Sequence, residues 1–182
     1  GLRGAKLQAV TRIYTVYQAR CRQANAMDFD DILVNTFRLL NENADIRNKY
    51  ADRFQYILVD EYQDTNSVQV AIVKLLTVKH QRVCVVGDDY QSIYSFRGAN
   101  IDNILDYQKK FDNVQVFKLE RNYRSTQKIV EAANSLMKHN VKQIPKEVYS
   151  KESEGSKISY HSCYSDKEEA MVVVKEIKKL LP

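Results

Sequence analysis

Two adjacent carboxylates, Asp60 and Glu61, follow an apolar run that ends at Val59. This run, residues 54–59, predicts an interior strand of a parallel sheet, and the carboxyl edge of such a sheet is where open α/β folds bind ligands. Neighbouring carboxylates repel each other and lose solvation, so the pair suits a bound cation, an activated water, or both. The alternative is that both side chains only cap the next helix, because helix N-termini favour acidic groups.

A second predicted strand directs further polar residues to the same edge. Residues 82–86 have the pattern of a buried strand and end in a Gly-Asp-Asp sequence at 87–89, and residues 68–76 have helical spacing. Strand, helix and strand over this length form a right-handed βαβ unit, which places both strand ends on one edge of the sheet. Asp60 and Glu61 are therefore expected to converge with the residues of the second strand end.

A third predicted strand, residues 114–119, leads into a polar segment in which Ser125 is placed to cap a following helix. An acidic pair that holds Mg²⁺ through water, a glutamine one loop away and an arginine after the third strand are the parts that phosphoryl transfer to water requires. The phosphate-binding sequence GxxxxGK followed by Ser or Thr does not occur in the chain, which has five glycines. We therefore expect that the loop that wraps the phosphates is not part of this chain.

The composition is typical of a globular protein, with 28% charged and 44% hydrophobic residues. The formal net charge of +5 and the pI near 9.0 permit a polyanionic partner without requiring one. No stretch approaches the ~18 apolar residues of a membrane span, so no membrane partner is expected. The three cysteines are far apart and lack CxxC spacing, which argues against a disulfide framework or a zinc site and favours a reducing cytosol.

The remaining segments predict mainly helices. Residues 7–22 and 29–40 have helical spacing, and Asp28 is placed as the N-cap of the second of these helices. Further expectations are a short helix at 46–50, helices at 101–111 and 129–136, a long loop at 139–155, a strand at 157–161, and a final helix that opens with a capping box of Ser165 and Glu168.

Three stretches resemble the motifs of UvrD/Rep/PcrA-type superfamily-one DNA helicases. Residues 59–65, VDEYQDT, resemble the Walker B element; residues 87–99, GDDYQSIYSFRGA, resemble motif III; and residues 119–125, LERNYRS, resemble motif IV. Residues 28–31, DFDD, resemble the segment that leads out of the inserted 1B domain of this family. The similarity covers most of residues 12–138 in the right order, so the chain is identified as a member of this family.

The resemblance implies an ATP site. It implies that Asp60 coordinates Mg²⁺, that Glu61 is the general base for the attacking water, and that Gln91 senses the γ-phosphate of ATP. It further implies that Arg124 contacts this phosphate across a cleft between domains and that Tyr123 stacks on the adenine.

The resemblance also implies a site for single-stranded DNA. Tyr94 and Phe96 would face the bases, and Arg97 would link the acidic pair to the DNA-binding loop. The family commonly has Trp where Phe96 stands, so stacking there is expected to be weaker. Taken alone, Tyr94 and Phe96 would be interpreted as core aromatic residues. Gln63 and Asp64 are interpreted as helix caps or as groups that support the acidic pair.

For the fold, the resemblance implies a partial RecA-like (P-loop NTPase) α/β domain with a parallel sheet and flanking helices, followed by the start of a second such domain. Residues 1–27 would be the end of the 1B helical insertion, residues 28–119 the C-terminal part of RecA-like domain 1A, and residues 120–182 the beginning of domain 2A. The chain is therefore expected to be an internal piece of a longer protein.

The function that the resemblance implies is an ATP-dependent 3′→5′ DNA helicase or translocase. The whole protein would couple ATP hydrolysis to movement on single-stranded DNA and to unwinding at single-strand/duplex junctions, in repair or replication in the bacterial cytosol, while this chain alone would be inactive. One alternative is the motor portion of a RecB/AddA-like helicase-nuclease. Another is a motor-derived DNA-binding module without ATPase activity.

Overall fold

The computed structural model describes residues 2–181, apart from the side chains of Leu2, Arg3 and Arg97. The chain divides into two compact units, Gly1–Val116 and Phe117–Pro182. Among the residues so described, none of the helices combines the length and the apolar character that crossing a membrane requires.

The first unit consists of helices around a two-stranded sheet. Its elements are α1 (Leu2–Gln23), α2 (Phe29–Glu42), α3 (Ala44–Arg53), β1 (Ile57–Val59), α4 (Ser67–Thr77), β2 (Val83–Val85) and α5 (Asp102–Leu105). Short 3-10 turns lie at Tyr62–Asp64, Asp89–Gln91, Ser95–Arg97 and Tyr107–Lys109. The helices α2, α3 and α4 pack against one another, and each contributes one buried apolar side chain: Leu40, Ala51 and Val70.

The beginnings of α2 and α4 are specified by local sequence. Asp28 caps α2, because its side chain accepts from the Asp31 amide at 2.8 Å while the Asp31 side chain accepts from the Asp28 amide. Asn66 and Gln69 form the same reciprocal arrangement at the start of α4, with both distances 2.9 Å. Each capping box satisfies two amides that a helix N-terminus leaves without intrahelical partners. The prediction that Asp28 caps α2 is confirmed.

The strands β1 and β2 pair in parallel, and α4 is the crossover between them. Ile57 lies opposite Val83, and Val59 lies opposite Val85. The carboxyl ends of both strands therefore lie at the same edge, as the βαβ prediction requires. The α/β class with a parallel sheet and flanking helices is confirmed.

The prediction of interior strands is wrong within the described residues. The sheet there has two strands, Leu58 is 76% exposed, and Cys84 is also exposed. Successive strand side chains point to opposite faces, so a sheet that is packed on one face leaves every second side chain in solvent. The helix expected at 101–111 is also not continuous: the α-helix α5 covers Asp102–Leu105, and a 3-10 turn follows at Tyr107–Lys109.

The second unit contains β3 (Arg121–Asn122), α6 (Gln127–Met137), β4 (Tyr149–Ser150) and α7 (Asp166–Leu180). The strands β3 and β4 pair in parallel. The prediction of a strand at 114–119 is wrong: these residues have no regular structure, and Leu119 is 87% exposed. A strand persists where a neighbouring strand satisfies its amides and carbonyls, and among the described residues no strand pairs with this segment. The strand expected at 157–161 is absent from the described residues for the same reason.

Residues 152–155 form a strap across the N-terminus of α6. The amides of Gln127 and Lys128 donate to the carbonyls of Ser153 and Glu154 at 3.1 and 3.2 Å, and the Lys128 ammonium pairs with the Glu154 carboxylate. The cap residue of α6 is Thr126, which makes no side-chain capping bond, so the prediction that Ser125 caps this helix is wrong. Carbonyls from the strap take the place of a capping side chain.

Candidate functional site

Asp60 and Glu61 lie directly after β1, in a turn that is bonded to the end of β2. The Val86 amide donates to the Val59 carbonyl at 2.8 Å, and the Tyr62 amide donates to the Val86 carbonyl at 3.0 Å. Glu61 has φ 49° and ψ 42°, the left-handed conformation that is uncommon for a residue with a long side chain. The chain therefore turns sharply at the sheet edge and presents both carboxylates there.

The alternative that both carboxylates only cap the next helix is not supported by their contacts. The helix α4 is capped by Asn66, and Glu61 precedes a 3-10 turn without making a side-chain capping bond to it. The Asp60 Oδ1 atom accepts from the Glu61 amide at 2.9 Å, a bond within the turn itself. Both residues are exposed, which leaves their carboxylates accessible to a ligand in solvent.

Gln63 connects the turn after β1 to the turn after β2. Its Nε2 atom donates to Glu61 Oε2 at 2.8 Å, and its Oε1 atom accepts from the Asp88 amide at 3.0 Å. The residue is only 1% exposed. Of the two roles predicted for Gln63, a helix cap or a group that supports the acidic pair, these contacts fit the second, because the side chain bridges the two strand ends.

Gln91 lies at the end of the 3-10 turn that follows β2. Its Nε2 atom donates to Asp88 Oδ2 at 2.8 Å, and its amide donates to the Asp88 carbonyl at 3.0 Å. The four residues Glu61, Gln63, Asp88 and Gln91 therefore form a continuous hydrogen-bonded series across the carboxyl edge of the sheet. The structure thus connects the proposed general base to the proposed γ-phosphate sensor.

Tyr62, which lies between Glu61 and Gln63 in the chain, is a buried aromatic residue. Its side chain is fully buried, and its ring meets the Tyr107 ring edge-on with 5.5 Å between centroids. Burial raises the pKa of the Tyr62 hydroxyl, and burial, with smaller contributions from Tyr62 and Cys84, raises the pKa of Tyr107 to about 12. Both hydroxyls are therefore neutral at pH 7, and Tyr62 packs as a buried side chain against Tyr107.

The carboxylates at this edge fit a Mg²⁺ ion that takes most of its ligands from water and phosphate. Mg²⁺ is usually held through one or two carboxylates together with substrate phosphates rather than by an all-protein cage. Asp60 offers an exposed carboxylate with one oxygen bound to a backbone amide. Among the described residues, no group of three or more His, Cys, Asp or Glu side chains that could hold a metal ion is found.

Tyr94 and Phe96 form an exposed aromatic pair on the loop after Gln91. Their ring centroids are 6.0 Å apart at an interplanar angle of 40°, and the two residues are 40% and 76% exposed. The alternative that they are core residues is therefore wrong. Gly98 closes the loop in a left-handed conformation at φ 87°, and the role expected of Arg97 concerns a side chain outside the described part of the structure.

Tyr123 and Arg124 lie in the second unit, on a turn organised by Asn122. The Asn122 Oδ1 atom accepts from the amides of Arg124 and Ser125 at 2.9 and 2.8 Å. The guanidinium carbon of Arg121 lies 4.4 Å from the centroid of the Tyr123 ring, and Tyr123 is 71% exposed. Sequence reasoning overlooked both supporting residues, Arg121 and Asn122, although Asn before a polar turn is a common signal for this geometry.

Comparison with known proteins covers nearly the whole chain. The UvrD/REP helicase N-terminal domain matches residues 3–112, and the UvrD-like helicase C-terminal domain matches residues 117–182. The ATP-dependent DNA helicase PcrA of Leuconostoc citreum is 40% identical over 95% of this chain and 23% of its own length. The proteins of the same name from Staphylococcus epidermidis and Staphylococcus aureus are 44% and 42% identical over 94% of the chain and 24% of their own lengths.

The chain thus spans about a quarter of the length of these curated relatives. Its first match alone, residues 3–112, covers more than half of the chain. The matched region includes the sheet edge with Asp60, Glu61 and Gln91, so the geometry and the similarity concern the same residues. The chain belongs to the UvrD/REP helicase family.

Proposed function

We propose that this chain is part of the motor of an ATP-dependent DNA helicase or translocase that moves 3′→5′ on single-stranded DNA and unwinds duplex at single-strand junctions, in repair or replication in the bacterial cytosol. The observation that carries the proposal is the sheet edge, where the Asp60–Glu61 turn is hydrogen-bonded through Gln63 to the turn that positions Gln91. Carboxylates that can hold a metal ion and accept a proton, together with the Gln91 side-chain amide at the same sheet edge, suit the hydrolysis of a nucleotide phosphate.

The domains of the proposal follow the family. Residues 1–27 belong to the end of the 1B helical insertion, residues 28–119 to the C-terminal part of RecA-like domain 1A, and residues 120–182 to the beginning of domain 2A. The break between the two compact units at residues 116 and 117 lies close to the proposed boundary between 1A and 2A.

ATP and Mg²⁺ are the proposed ligands of the sheet edge. Mg²⁺, when bound, supplies positive charge that offsets the charge of the phosphates. Asp60 holds the ion, Glu61 accepts a proton at its carboxylate from the attacking water, and the Gln91 amide contacts the γ-phosphate. Each of these side chains is exposed at the same edge.

Tyr123 and Arg124 are also proposed to bind the nucleotide. Arg124 balances the charge that develops on the γ-phosphate, as a planar guanidinium does well. Tyr123 stacks on the adenine with one ring face, since Arg121 lies over the other. The Asn122 turn fixes the backbone from which both side chains extend.

Single-stranded DNA is the proposed partner of the aromatic loop. Tyr94 and Phe96 present exposed rings, and stacking of a base on such a ring contributes about 1–3 kcal/mol without regard to sequence. Arg97 is proposed to link this loop to the acidic pair. Because Gln91 and Tyr94 belong to one short segment, occupation of the nucleotide site and the position of the rings are expected to affect each other.

The test is the substitution Glu61→Gln in the full-length protein, with DNA-stimulated ATP hydrolysis and binding of a fluorescent ATP analogue as the measurements. We expect nucleotide binding to persist and turnover to fall by about 10²–10⁴-fold, because the general base is lost. Glu42→Gln is the matched control, since Glu42 is an exposed residue at the end of α2. Turnover by Glu61→Gln equal to that of the parent protein would refute the proposal.

A further inference from the structure

Gln63 is a buried amide whose two ends contact different halves of the candidate site. Its nitrogen donates to the Glu61 carboxylate at 2.8 Å, and its oxygen accepts from the Asp88 amide at 3.0 Å. A longer contact, 3.4 Å, joins the same nitrogen to Asp64 Oδ2. With 1% of its surface exposed, Gln63 has little solvent available to replace these partners.

The partners require a primary amide of this length. An ionised carboxylate only accepts hydrogen bonds and a backbone amide only donates, so the side chain between Glu61 and Asp88 must donate at one end and accept at the other. Glutamate cannot donate to Glu61 when ionised, methionine has no donor for Glu61 and is only a weak acceptor, and asparagine is one methylene shorter. The same donor and acceptor requirements place the nitrogen of the Gln63 amide towards Glu61 and its oxygen towards the Asp88 amide.

Glu61 is the residue that gains most from such a contact. Its side chain is exposed, and an exposed glutamate otherwise populates several rotamers. Its backbone is in the left-handed conformation at φ 49°, which projects the side chain in a direction that an extended or helical residue would not use. The bond from Gln63 therefore selects one position for a carboxylate that would otherwise move.

The space for Gln63 depends on Gly87 at the end of β2. A Cβ atom at position 87 would lie 2.6 Å from Gln63 Oε1 and 3.2 Å from the Tyr62 amide nitrogen. The glycine thus allows the Gln63 amide to reach the backbone of the second strand end. From there, the Asp88 carboxylate accepts from the side chain of Gln91.

We propose that Gln63 is a positioning residue that fixes the Glu61 carboxylate relative to the turn carrying Gln91, and so holds the attacking water in line with the γ-phosphate. This inference rests on the proposed function, in which Glu61 accepts the proton of that water. Gln63 acts through Glu61, so its loss lowers the rate of the chemical step and leaves the binding of ATP largely intact.

The test compares Gln63→Met with the parent in the full-length protein. We expect kcat for DNA-stimulated ATP hydrolysis to fall by about 10–100-fold, since a misplacement of about 1 Å has an effect of this size, while KM for ATP stays within about threefold. Asn103→Leu is the matched control: Asn103 is also a buried amide, 5% exposed, and it donates to the Thr65 carbonyl at 2.9 Å. This control is expected to lose stability but to keep its kcat.

A double substitution separates positioning from a merely structural role. In a Glu61→Gln background, Gln63→Met should change the residual turnover by less than about twofold, because the group it positions is already gone. A further drop equal to the one measured in the parent background would overturn the inference. So would a Gln63→Met enzyme with the kcat of the parent.

Two results keep the inference distinct from the proposed function. If Glu61→Gln turns over like the parent, the proposed function fails, and the inference fails with it. If Glu61→Gln is inactive but Gln63→Met is fully active, the inference alone fails. Should Gln63→Met not fold, Gln63→Glu provides the same comparison in a side chain of equal size. A carboxylate at position 63 repels Glu61, so kcat is expected to fall in this variant too. A parent-like kcat would likewise overturn the inference.

Discussion

Replacement of Gly87 by alanine is the sharpest test of how the two strand ends are packed. The added Cβ atom would lie 2.6 Å from Gln63 Oε1 and 2.8 Å from Ile104 Cδ1, whereas ordinary contact begins near 3.4 Å. Either the Gln63 amide or the turn must therefore move by roughly 0.8 Å. This movement is costly because the Gln63 side chain is buried and hydrogen-bonded at both ends of its amide. The alanine substitution should displace the bridge between Glu61 and Asp88.

The expected loss of stability has two parts. Overpacking of a filled site costs about 1–3 kcal/mol. If the Gln63 amide moves away from the Asp88 amide, a hydrogen bond worth about 1 kcal/mol is lost as well. Gly87→Ala should therefore lower the free energy of unfolding by about 2–4 kcal/mol.

Urea unfolding of the chain, followed by circular dichroism, measures this loss. Gly4→Ala is the matched control, because Gly4 lies within α1 and a Cβ atom there would meet nothing within 4 Å. The control should gain about 0.5–1 kcal/mol from the better helix propensity of alanine. The reasoning is refuted if Gly87→Ala unfolds within about 0.5 kcal/mol of the parent chain.

Two further predictions concern the cap of α2 and the isolated chain. The pKa of Asp28 lies below its ordinary value of 3.8, first because of the bond from the Asp31 amide and then because of the Tyr17 hydroxyl, which donates to it at 2.9 Å. Since the folded pKa is lowered, the charged carboxylate contributes stability above pH 3.8 that is lost as the pH falls through the folded pKa. Asp28→Asn should therefore unfold at lower urea than the parent at pH 7, and the difference should shrink at about pH 3; a difference that is the same at both pH values contradicts this. The 182-residue chain alone should show no DNA-stimulated ATP hydrolysis, because its sequence contains no phosphate-binding loop, and measurable turnover by the purified chain would contradict this.

Elements specified by neighbouring residues could be predicted from the sequence. Asp28 lies three residues before Asp31, and this spacing is enough to place the start of α2. The two strand ends lie at one edge because the strands of a βαβ unit are parallel, so the meeting of the Asp60 turn with the Gly87 turn was also predictable.

Features that depend on distant partners could not be predicted in the same way. Residues 114–119 have the composition of a strand, yet composition does not supply a neighbour with which to pair. The bridge formed by Gln63 depends on Asp88, which lies 25 positions later in the chain. A glycine directly before Asp88 was the signal for this close approach, because only a residue without Cβ leaves room for the amide.

The strap across α6 has a consequence for the order of folding. The helices α2 and α4 carry their start signals within three residues, so their first turns can form as soon as the local chain exists. The first turn of α6 instead needs Glu154, which is separated from its partner Lys128 by 26 positions. Closure of that loop must precede the contact, so the start of α6 should form late in folding, after the helices of the first unit.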